Sequence, residues 1–433
     1  MKEISIALLG FGTVGSGVAE AILKNGEALT EQLGCKLKLK SVLVRNPEKY
    51  KNHALLQDVH VTTDVSEILS DDSIEIVVEV MGGISPTKEY ICAALRGGKC
   101  VVSANKDLVA QYGPEILSVA KEHHMNFSCE ASVGGGIPIL VPLHDSLAAN
   151  RIDKILGIVN GTTNYILTKM TDEGESYESA LSEAQAKGFA EADPTNDVCG
   201  FDAARKLAIL GSIGFHANVT FDDVAVEGID KITQQDVLYA KDMGYVIKLL
   251  AVATREDGGI ALNVYPAFVP KSHPLASVKG SYNAIYVVGN IVGDVMFYGQ
   301  GAGSLPTASA VMGDVIATAK HIMSNTQGTG MILTDTQPIP FYSSLKLRDS
   351  YYFRLIVKDA TGVLASIAQA LADQSISINE VVQKRRFENL AELMLIVEAA
   401  PRENINRVIQ TLSDLPTVEE IANVIRVLPN ENK

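Results

Sequence analysis

The first 130 residues alternate short apolar runs with stretches of helical periodicity. Strands are predicted at residues 4–9, 38–44, 74–80, 99–103 and 125–129. Helices are predicted between them, at residues 14–23, 86–96 and 114–122. Strands that alternate with helices indicate an α/β fold with a doubly wound parallel sheet, which binds ligands at the carboxyl ends of its strands.

A different pattern begins at Arg151 and continues to about Gly299. Helical segments are predicted at residues 180–186 and 240–251, mixed with extended runs at residues 154–159, 262–268, 283–288 and 294–298. This mixture is typical of an α+β domain with a sheet of its own. A glycine-rich turn at residues 299–307 then opens a further helix, which would carry the chain back to the first domain.

The last segment shows the order strand, helix, strand, strand, helix, strand between Tyr352 and Leu428. This βαββαβ order is the ferredoxin-like plan. The segment has no convincing catalytic cluster, which favours ligand sensing or chain pairing, with a structural appendage as the alternative. The predicted domains are residues 1–130 with about 304–325, residues 131–303, and residues 349–433 after a linker at residues 326–348.

The sequence Gly10-Phe-Gly12-Thr-Val-Gly15 follows the first predicted strand directly and opens the first predicted helix. In this context Gly10 makes the turn, Gly12 lets a pyrophosphate approach the backbone, and Gly15 allows close helix packing. The loop therefore indicates a Rossmann-type dinucleotide site. A tight turn in some other α/β domain is the alternative.

Two cations follow predicted strands of this sheet. Arg45 stands where a carboxylate would hold the 2′-hydroxyl of NAD, so it suits the 2′-phosphate of NADP. Ser103 ends a later predicted strand and Lys106 follows it, where the lysine would face the nicotinamide. An exposed arginine and a solvated loop lysine are the alternatives.

Residues 188–211 combine acidic side chains with a mostly apolar helix. Asp202 and Lys206 are four residues apart and share one face of that helix, which continues as Ile209. Such a face points inward, and buried charges are costly unless they meet a partner or a substrate. A poorly solvated lysine also suits proton transfer. A solvated ion pair is the alternative, which three acids upstream disfavour: Glu191, Asp193 and Asp197.

Two further segments have two interpretations each. Residues 130–138 carry Glu130 and three glycines, which would turn backbone carbonyls inward around a hard cation or form a plain crossover between domains. Residues 160–164 carry Thr162 among amides and hydroxyls. This second segment suits either a carboxylate bound at a helix N-terminus or an ordinary helix cap.

The 433-residue chain carries 37 Lys and Arg against 51 Asp and Glu, a net charge of −14. This charge argues against general affinity for nucleic acid or anionic membranes, and no apolar run is long enough to span a bilayer. The five cysteines lack a C-x-x-C motif and are odd in number, which indicates reduced thiols in a cytoplasmic protein. The apolar N-terminal run ends in a glycine loop, so it is predicted to be a strand and not a signal peptide.

Taken together, six segments resemble homoserine dehydrogenases of the long form with a C-terminal ACT domain. They are GFGTVGSGV, SANK, EASVGGGIP, NGTTNYIL, GFAEADPTNDVCGFDAARKLAIL and GAGSLPTASAV. The resemblance covers essentially the whole chain. It implies reversible reduction of aspartate 4-semialdehyde to homoserine in threonine and methionine biosynthesis. The cofactor would be NADP(H), favoured by Arg45, or NAD(H).

The resemblance also implies roles for individual residues. Lys206 matches the proton donor, and Glu191 and Asp202 match carboxylates that bind the amino acid. Asp197 and Thr162, from the polar segments described above, are added as substrate contacts. The resemblance also matches cofactor contacts to Phe11, Thr13, Val14, Lys106, Gly188 and Gly303. The glycine loop and the strand ends described above add Gly10, Gly12, Gly15, Arg45 and Ser103.

Two more features of the site follow from the resemblance. Glu130, with the carbonyls of Val133, Gly135 and Ile137, matches a site for a monovalent cation, Na⁺ or K⁺. Phe189 stands where some relatives have tyrosine, so a hydroxyl contact to the substrate would be missing.

Family analogy adds threonine as an effector of the ACT-like segment, near residues 359–363 or Asn379. Sheet edges favour pairing into a homodimer or homotetramer. Two other functions fit the same features: an amino-acid dehydrogenase acting on a different carbonyl substrate, and a catalytically inactive amino-acid sensor. The intact combination of the glycine loop with Glu191, Asp202 and Lys206 argues against the sensor.

Overall fold

The computed structural model describes residues 1–330, 338–387 and 389–429. The chain divides into two compact units. The first comprises Met1–Ile155, Arg205–Asp223 and Asn283–Ile339, and the second comprises Leu156–Ala204, Val224–Tyr282 and Pro340–Lys433. Residues 331–337 of the predicted linker lie outside the described residues, as do position 388 and residues 430–433 of the predicted ACT-like segment.

A parallel sheet organises the first unit. Its N-terminal elements are β1 (Lys2–Leu9), α1 (Thr13–Leu33), β2 (Cys35–Leu43), β3 (His60–Thr62), α2 (Val65–Leu69), β4 (Ile74–Glu79), α3 (Thr87–Arg96), β5 (Cys100–Ser103), α4 (Lys106–Glu122) and β6 (Phe127–Ser128). The strands lie in the order β3-β2-β1-β4-β5-β6, and every neighbouring pair is parallel. The predicted doubly wound parallel sheet is confirmed.

Burial explains why these strands are continuous apolar runs. Residues 4–9 of β1 and all of β5 are buried, because helices cover both faces of a parallel sheet. The helix predicted at residues 114–122 begins earlier, at Lys106, where the Asn105 side chain accepts a hydrogen bond from the Leu108 N–H (3.2 Å). The predicted start was wrong, because Pro114 lies inside the helix and Asn105 caps it.

The middle of the chain mixes helices with longer strands, as predicted. Its elements are β7 (Ile152–Ile158), α5 (Gly161–Asp172), α6 (Tyr177–Ala186), α7 (Thr195–Val198), α8 (Phe201–Phe215), β8 (Ala225–Val226), α9 (Gln234–Asp242), β9 (Tyr245–Glu256), β10 (Gly259–Pro270), β11 (Tyr282–Gly289), β12 (Gly293–Gln300) and α10 (Ser304–Ser324). Strands β9 and β10 form an antiparallel hairpin whose twelve residue pairs run from Gly259 opposite Glu256 to Pro270 opposite Tyr245.

The helix predicted at residues 240–251 is wrong. Helix α9 ends at Asp242, Gly244 follows with φ of 85°, and the chain continues as β9. The leucines and alanines of this segment have high helix propensity, which favoured the prediction. Pairing with β10 along its whole length overrides that propensity, and burial of residues 247–253 removes the alternation that marks a half-exposed strand.

The last elements follow the predicted βαββαβ order. They are β13 (Arg348–Lys358), α11 (Val363–Ala372), β14 (Ile378–Phe387), β15 (Leu390–Pro401), α12 (Arg402–Asp414) and β16 (Val418–Val427). Strand β13 pairs antiparallel with β15 and β16, and β14 pairs antiparallel with β15. Strand β16 also pairs in parallel with β10, with Ala267 opposite Arg426 and Phe268 opposite Val427. The sheet of the last segment therefore continues the β9–β10 hairpin inside the second unit.

A buried ionic network joins α9 to this sheet. The Arg354 guanidinium on β13 donates to Asp236 Oδ1 (2.7 Å) and to Glu392 Oε1 (3.3 Å). Asp236 is fully buried and Glu392 is 2% exposed. The Tyr239 hydroxyl donates to the other oxygen of Glu392, and the Asn423 amide donates to Asp236 Oδ2 (2.8 Å). Each carboxylate thus has at least two donors, which offset its loss of water.

A buried lysine on β9 lies in the same unit. Lys248 is 3% exposed, and its Nζ donates to Asn164 Oδ1 (2.8 Å) and to the Val278 carbonyl. Asn164 in turn donates to the carbonyls of Gly280 (2.9 Å) and Tyr282 (3.0 Å). Burial lowers the pKa of Lys248 to about 8, since both acceptors are neutral and do not stabilise the ammonium as a carboxylate would.

This lowered pKa predicts a stability that rises with pH. Between pH 8 and pH 10 the folded Lys248 loses its proton, whereas in the unfolded chain it keeps most of it, so folding becomes more favourable as pH increases. The gain over this range should be about 2 kcal/mol in the unfolding free energy. Urea unfolding of the wild type and of Lys248→Met at both pH values measures it, because the gain should be absent from the variant. An equal change in both proteins would contradict the prediction.

Candidate active site

The loop between β1 and α1 has the geometry of a phosphate cradle. Gly10 has φ of 103°, and a Cβ added there would lie 2.9 Å from the Val80 carbonyl oxygen. A Cβ on Gly15 would lie 2.4 Å from the Gly10 carbonyl oxygen, whereas one on Gly12 would meet nothing within 4 Å. The first turn of α1 carries no acidic side chain. Gly12 is therefore open to a ligand, and the N-terminal amides of α1 suit a pyrophosphate.

The other residues of this loop support it. The buried Phe11 ring packs edge-on against Tyr50 and His53, at centroid distances of 5.4 Å and 5.2 Å. Val14 packs against the core of the unit. The Thr13 carbonyl accepts a hydrogen bond from Ser304 Oγ (2.6 Å), at the start of α10.

The second glycine-rich turn returns to the first one at this point. Gly303 precedes α10 with φ of 124° and ψ of 160°, a conformation that favours glycine. A Cβ on Gly17 of α1 would lie only 2.7 Å from the Ser304 carbonyl oxygen. Helices α1 and α10 therefore approach closely, and residues of both glycine turns lie together.

A buried carboxyl group lies at the carboxyl end of β4. Glu79 is fully buried, and its Oε1 accepts from the N–H groups of Met81 (2.8 Å) and Gly82 (3.1 Å). Its Oε2 accepts from Ser103 Oγ (2.6 Å) at the end of β5. Burial raises the pKa of Glu79, and these hydrogen bonds oppose the rise. The carboxyl group thus ties the ends of two adjacent strands together.

Lys106 is positioned from the same strand end. Ser103 Oγ accepts from the Asn105 N–H (3.1 Å), and the Asn105 amide donates to the Gly83 carbonyl (2.6 Å). Because Asn105 also caps α4, Lys106 becomes the first residue of that helix and is half-buried.

Strand β2 ends beside the glycine loop, and Arg45 follows that strand. It is exposed and follows the end of β2 by two residues. The Gly10 N–H donates to the carbonyl of Leu43, the last residue of β2, at 3.0 Å. Arg45 therefore stands at the same edge of the sheet as the loop, as the sequence predicts for parallel strands.

Helix α8 carries both candidate charged residues of the substrate site. Asp202 is 8% exposed, Lys206 one turn later is half-buried, and Ile209 is 2% exposed. Within the first unit, Arg205 Nε lies 3.2 Å from Asp107 Oδ1. Since Arg205 precedes Lys206 and Asp107 follows Lys106, this ion pair joins the segments of α8 and α4 that carry the two candidate lysines.

The acidic segment before α8 is tethered to α5. Thr162 Oγ1 donates to the Phe189 carbonyl (2.6 Å), and the Phe189 ring lies 4.9 Å from the Tyr165 ring. Gly188 has φ of 75°, and a Cβ there would meet nothing within 4 Å. Glu191 is exposed and Asp197 is half-buried. The Thr162 hydroxyl thus donates its hydrogen to the backbone of the acidic segment, at Phe189.

Asn160 joins two of the candidate acids. Its Oδ1 accepts from the Thr163 N–H (2.8 Å), which caps α5. Its Nδ2 donates to Asp197 Oδ1 (2.7 Å) and to Asp202 Oδ2 (2.9 Å). The helix-cap interpretation of this segment is therefore correct for the oxygen of Asn160, while its nitrogen binds side chains of the site.

The candidate cation loop has buried oxygen donors. Glu130 is 5% exposed, and its carboxylate accepts from the N–H groups of residues 139, 140 and 141, between 2.5 and 2.9 Å. Burial raises its pKa. Gly134 and Gly135 have φ of 74° and 56°, and Val133, Gly135 and Ile137 are buried. A carboxylate has about four lone-pair sites, so Glu130 retains lone-pair capacity beside its three N–H donors.

Four residues of these networks were missed by sequence reasoning. Glu79, Asn105, Asp107 and Arg205 act through partners distant in sequence or through neighbouring positions. Asp107 and Arg205 directly adjoin Lys106 and Lys206, which was the available signal. For Glu79 the sequence offered no such signal, because its hydrogen-bond partner on β5 is 24 residues away.

The doubly wound sheet and its glycine loop define this chain as a dinucleotide-binding α/β protein. Family models described as the NAD-binding domain of homoserine dehydrogenase, homoserine dehydrogenase and the ACT domain match residues 10–130, 138–316 and 351–422, respectively. The chain belongs to the homoserine dehydrogenase family of oxidoreductases, and its last segment is an ACT domain.

Two individual relatives match nearly the whole chain, and a third matches about three quarters of it. Homoserine dehydrogenase of Bacillus subtilis (strain 168) is 42% identical over 432 residues, which cover 99% of each chain. The crystal structure of a homoserine dehydrogenase from Thiobacillus denitrificans superposes with a TM-score of 0.94 at 39% identity, covering 99% of both chains. A hyperthermophilic archaeal homoserine dehydrogenase in complex with NADPH has a TM-score of 0.63 at 28% identity, covering 73% of this chain and 97% of that one.

Two features are absent from the residues that the structure describes. None of their helices combines the length and apolar character needed to cross a membrane. Within residues 1–330, 338–387 and 389–429, no group of three or more His, Cys, Asp or Glu side chains is arranged to hold a metal ion.

Proposed function

We propose that this protein catalyses the reversible NAD(P)H-dependent reduction of L-aspartate 4-semialdehyde to L-homoserine. The observation that carries the proposal is the face of α8, where Lys206 lies one turn after the buried Asp202. Membership of the homoserine dehydrogenase family supports the substrate pair.

The residues divide the work between binding and proton transfer. The nicotinamide, when bound, supplies or accepts the hydride. Lys206 gives a proton to the carbonyl oxygen as it becomes an alkoxide, and its charge stabilises that oxygen. Asp202 and Glu191, with Asp197, hold the substrate ammonium and so orient the carbonyl. Thr162 acts on the same site by fixing the segment that carries Glu191.

The first unit would hold the cofactor. The open face of Gly12 and the first turn of α1 accept the pyrophosphate, and Phe11, Thr13 and Val14 complete that loop. Ser103, Lys106, Gly188 and Gly303 are the other proposed contacts. Arg45 would bind the 2′-phosphate, which makes NADP(H) the favoured cofactor.

Replacing Arg45 with alanine tests this cofactor preference. Loss of a charge-assisted contact to the 2′-phosphate should lower kcat/KM for NADPH by about 10- to 100-fold, while the value for NADH should change by less than about threefold. Lys36→Ala is the matched control, since Lys36 is an exposed cation at the opposite end of β2. Equal losses with both cofactors would show that Arg45 does not read the 2′-phosphate.

Other parts of the molecule receive narrower proposals. Glu130 with the carbonyls of Val133, Gly135 and Ile137 would bind Na⁺ or K⁺ as a structural ion. The ACT domain would bind threonine near residues 359–363 or Asn379, and the protein would act as a homodimer or homotetramer. The proposed division is residues 1–130 with 304–325 for the cofactor, 131–303 for catalysis and dimerisation, and 349–433 for regulation.

The proposed reaction is tested by following NADPH and NADH absorbance with L-aspartate 4-semialdehyde, with and without threonine. The expected result is oxidation of the cofactor, and reduction of NADP⁺ or NAD⁺ when L-homoserine is supplied. A panel of other amino-acid aldehydes serves as the comparison. Activity on another aldehyde without activity on this one would overturn the substrate assignment.

A further inference from the structure

The side-chain amide of Asn160 has a geometry suited to more than capping a helix. Its Oδ1 accepts from the Thr163 N–H at 2.8 Å, which fixes the orientation of the amide. Both hydrogens of its Nδ2 are then used, one on Asp197 Oδ1 (2.7 Å) and one on Asp202 Oδ2 (2.9 Å). Asn160 is 4% exposed, so neither bond competes with much water.

This arrangement sets the spacing of two carboxylates. The two N–H bonds of an amide diverge by about 120°, so acceptors at these distances lie about 5 Å apart. Two N–H bonds of an ammonium group diverge by about 110° and bridge oxygens at nearly the same spacing. Asn160 therefore holds Asp197 and Asp202 at a separation that a substrate ammonium can bridge.

The charges explain why such a spacer is needed. Asp197 and Asp202 are half-buried and buried, respectively, and two close carboxylates repel each other. One neutral amide offsets part of that repulsion without adding a positive charge that would exclude the substrate.

We propose that Asn160 is a positioning residue, which sets the distance between Asp197 and Asp202 so that together they select substrates with an α-ammonium group. The proposal rests on the function proposed above and adds the basis of its amine specificity. Asn160 itself does not touch the reacting atoms. Its role is separate from the proton transfer assigned to Lys206.

Asn160→Ser is the main test, because serine keeps a capping oxygen for α5 but cannot bridge two carboxylates. The KM for L-homoserine should rise at least tenfold, while kcat changes by less than about threefold. As competitive inhibitors, L-2-aminobutanoate should weaken by the same factor and butanoate by less than twofold. Ser176→Ala is the control, since Ser176 caps the neighbouring helix α6 through the Ser179 N–H (3.2 Å), and its KM should match that of the wild type.

The outcomes separate this inference from the proposed reaction. A KM within twofold of wild type, or equal weakening of both inhibitors, would overturn the role of Asn160. If the wild type oxidises no L-homoserine, the reaction is wrong, and calorimetric binding of L-2-aminobutanoate to wild type and variant still decides the inference. If Asn160→Ser does not fold, Asn160→Asp, which keeps the cap oxygen and loses the donors, is measured in its place.

Discussion

Replacing Lys206 with alanine is expected to lower kcat for aspartate semialdehyde reduction by about 10² to 10⁴, the usual contribution of a positioned proton donor. The side chain is half-buried on α8, one turn after Asp202. Its removal leaves the new alkoxide without a proton and without a nearby positive charge. The KM for the cofactor should change little, because the proposed pyrophosphate site is the glycine loop and not α8. Steady-state kinetics at saturating cofactor provide the measurement.

Two further observations make this result specific. Added methylamine should restore part of the activity of Lys206→Ala, because a small amine can supply the missing proton. Lys24→Ala is the control, since the Lys24 side chain on α1 is 64% exposed and pairs with Glu20 on the surface of that helix. A kcat for Lys206→Ala within threefold of the wild type would show that Lys206 is not the proton donor.

Arg354→Met is expected to destabilise the second unit by about 3 to 5 kcal/mol, the cost of removing one partner from a buried ionic network. Asp236 and Glu392 would keep their negative charges at 0% and 2% exposure. Among the described side chains, the donors that remain to them include the neutral groups of Asn423 and Tyr239. Urea unfolding at a fixed protein concentration measures the change in unfolding free energy. Far-ultraviolet circular dichroism follows it.

The experiment has a control at a surface arginine and a double variant that removes one of the unpaired charges. Arg407 lies 3.8 Å from Glu403, with 62% and 47% of the two side chains exposed, so Arg407→Met should change stability by less than about 0.5 kcal/mol. Changing Asp236 to Asn in the Arg354→Met background should recover part of the loss, because it removes an unpaired buried charge. A loss in Arg354→Met no larger than in Arg407→Met would contradict the importance of the network.

The parallel sheet could be predicted from the sequence because the residues of each strand show whether that strand is buried on both faces. The apolar runs of β1 and β5 are continuous because both faces are buried, and this feature depends only on local residues. The same reasoning failed for β9, where leucine and alanine favour a helix and only the partner strand β10 decides otherwise. Local propensity cannot include a partner that lies elsewhere in the chain.

The candidate site shows a similar division. The glycine loop could be interpreted from the spacing of its glycines, because a side chain at Gly10 or Gly15 would collide with nearby backbone atoms. For the segment that begins at Asn160, the sequence could not decide between a helix cap and a ligand contact, because the two carboxylate partners of Asn160 lie 37 and 42 residues away. Interactions of this kind depend on how distant segments meet, and a single sequence does not contain that information.

The parallel contact between β10 and β16 has a consequence for synthesis of the protein on the ribosome. The edge of β10 is completed by β8 at residues 263–264 and by β16 at residues 267–268. Strand β16 emerges roughly 150 residues after β10, a delay of about 10 to 30 s at ordinary translation rates. During that interval the nascent chain carries an unfinished edge of β10 that is able to pair with other chains. Chaperone demand should therefore peak before the last strand is translated.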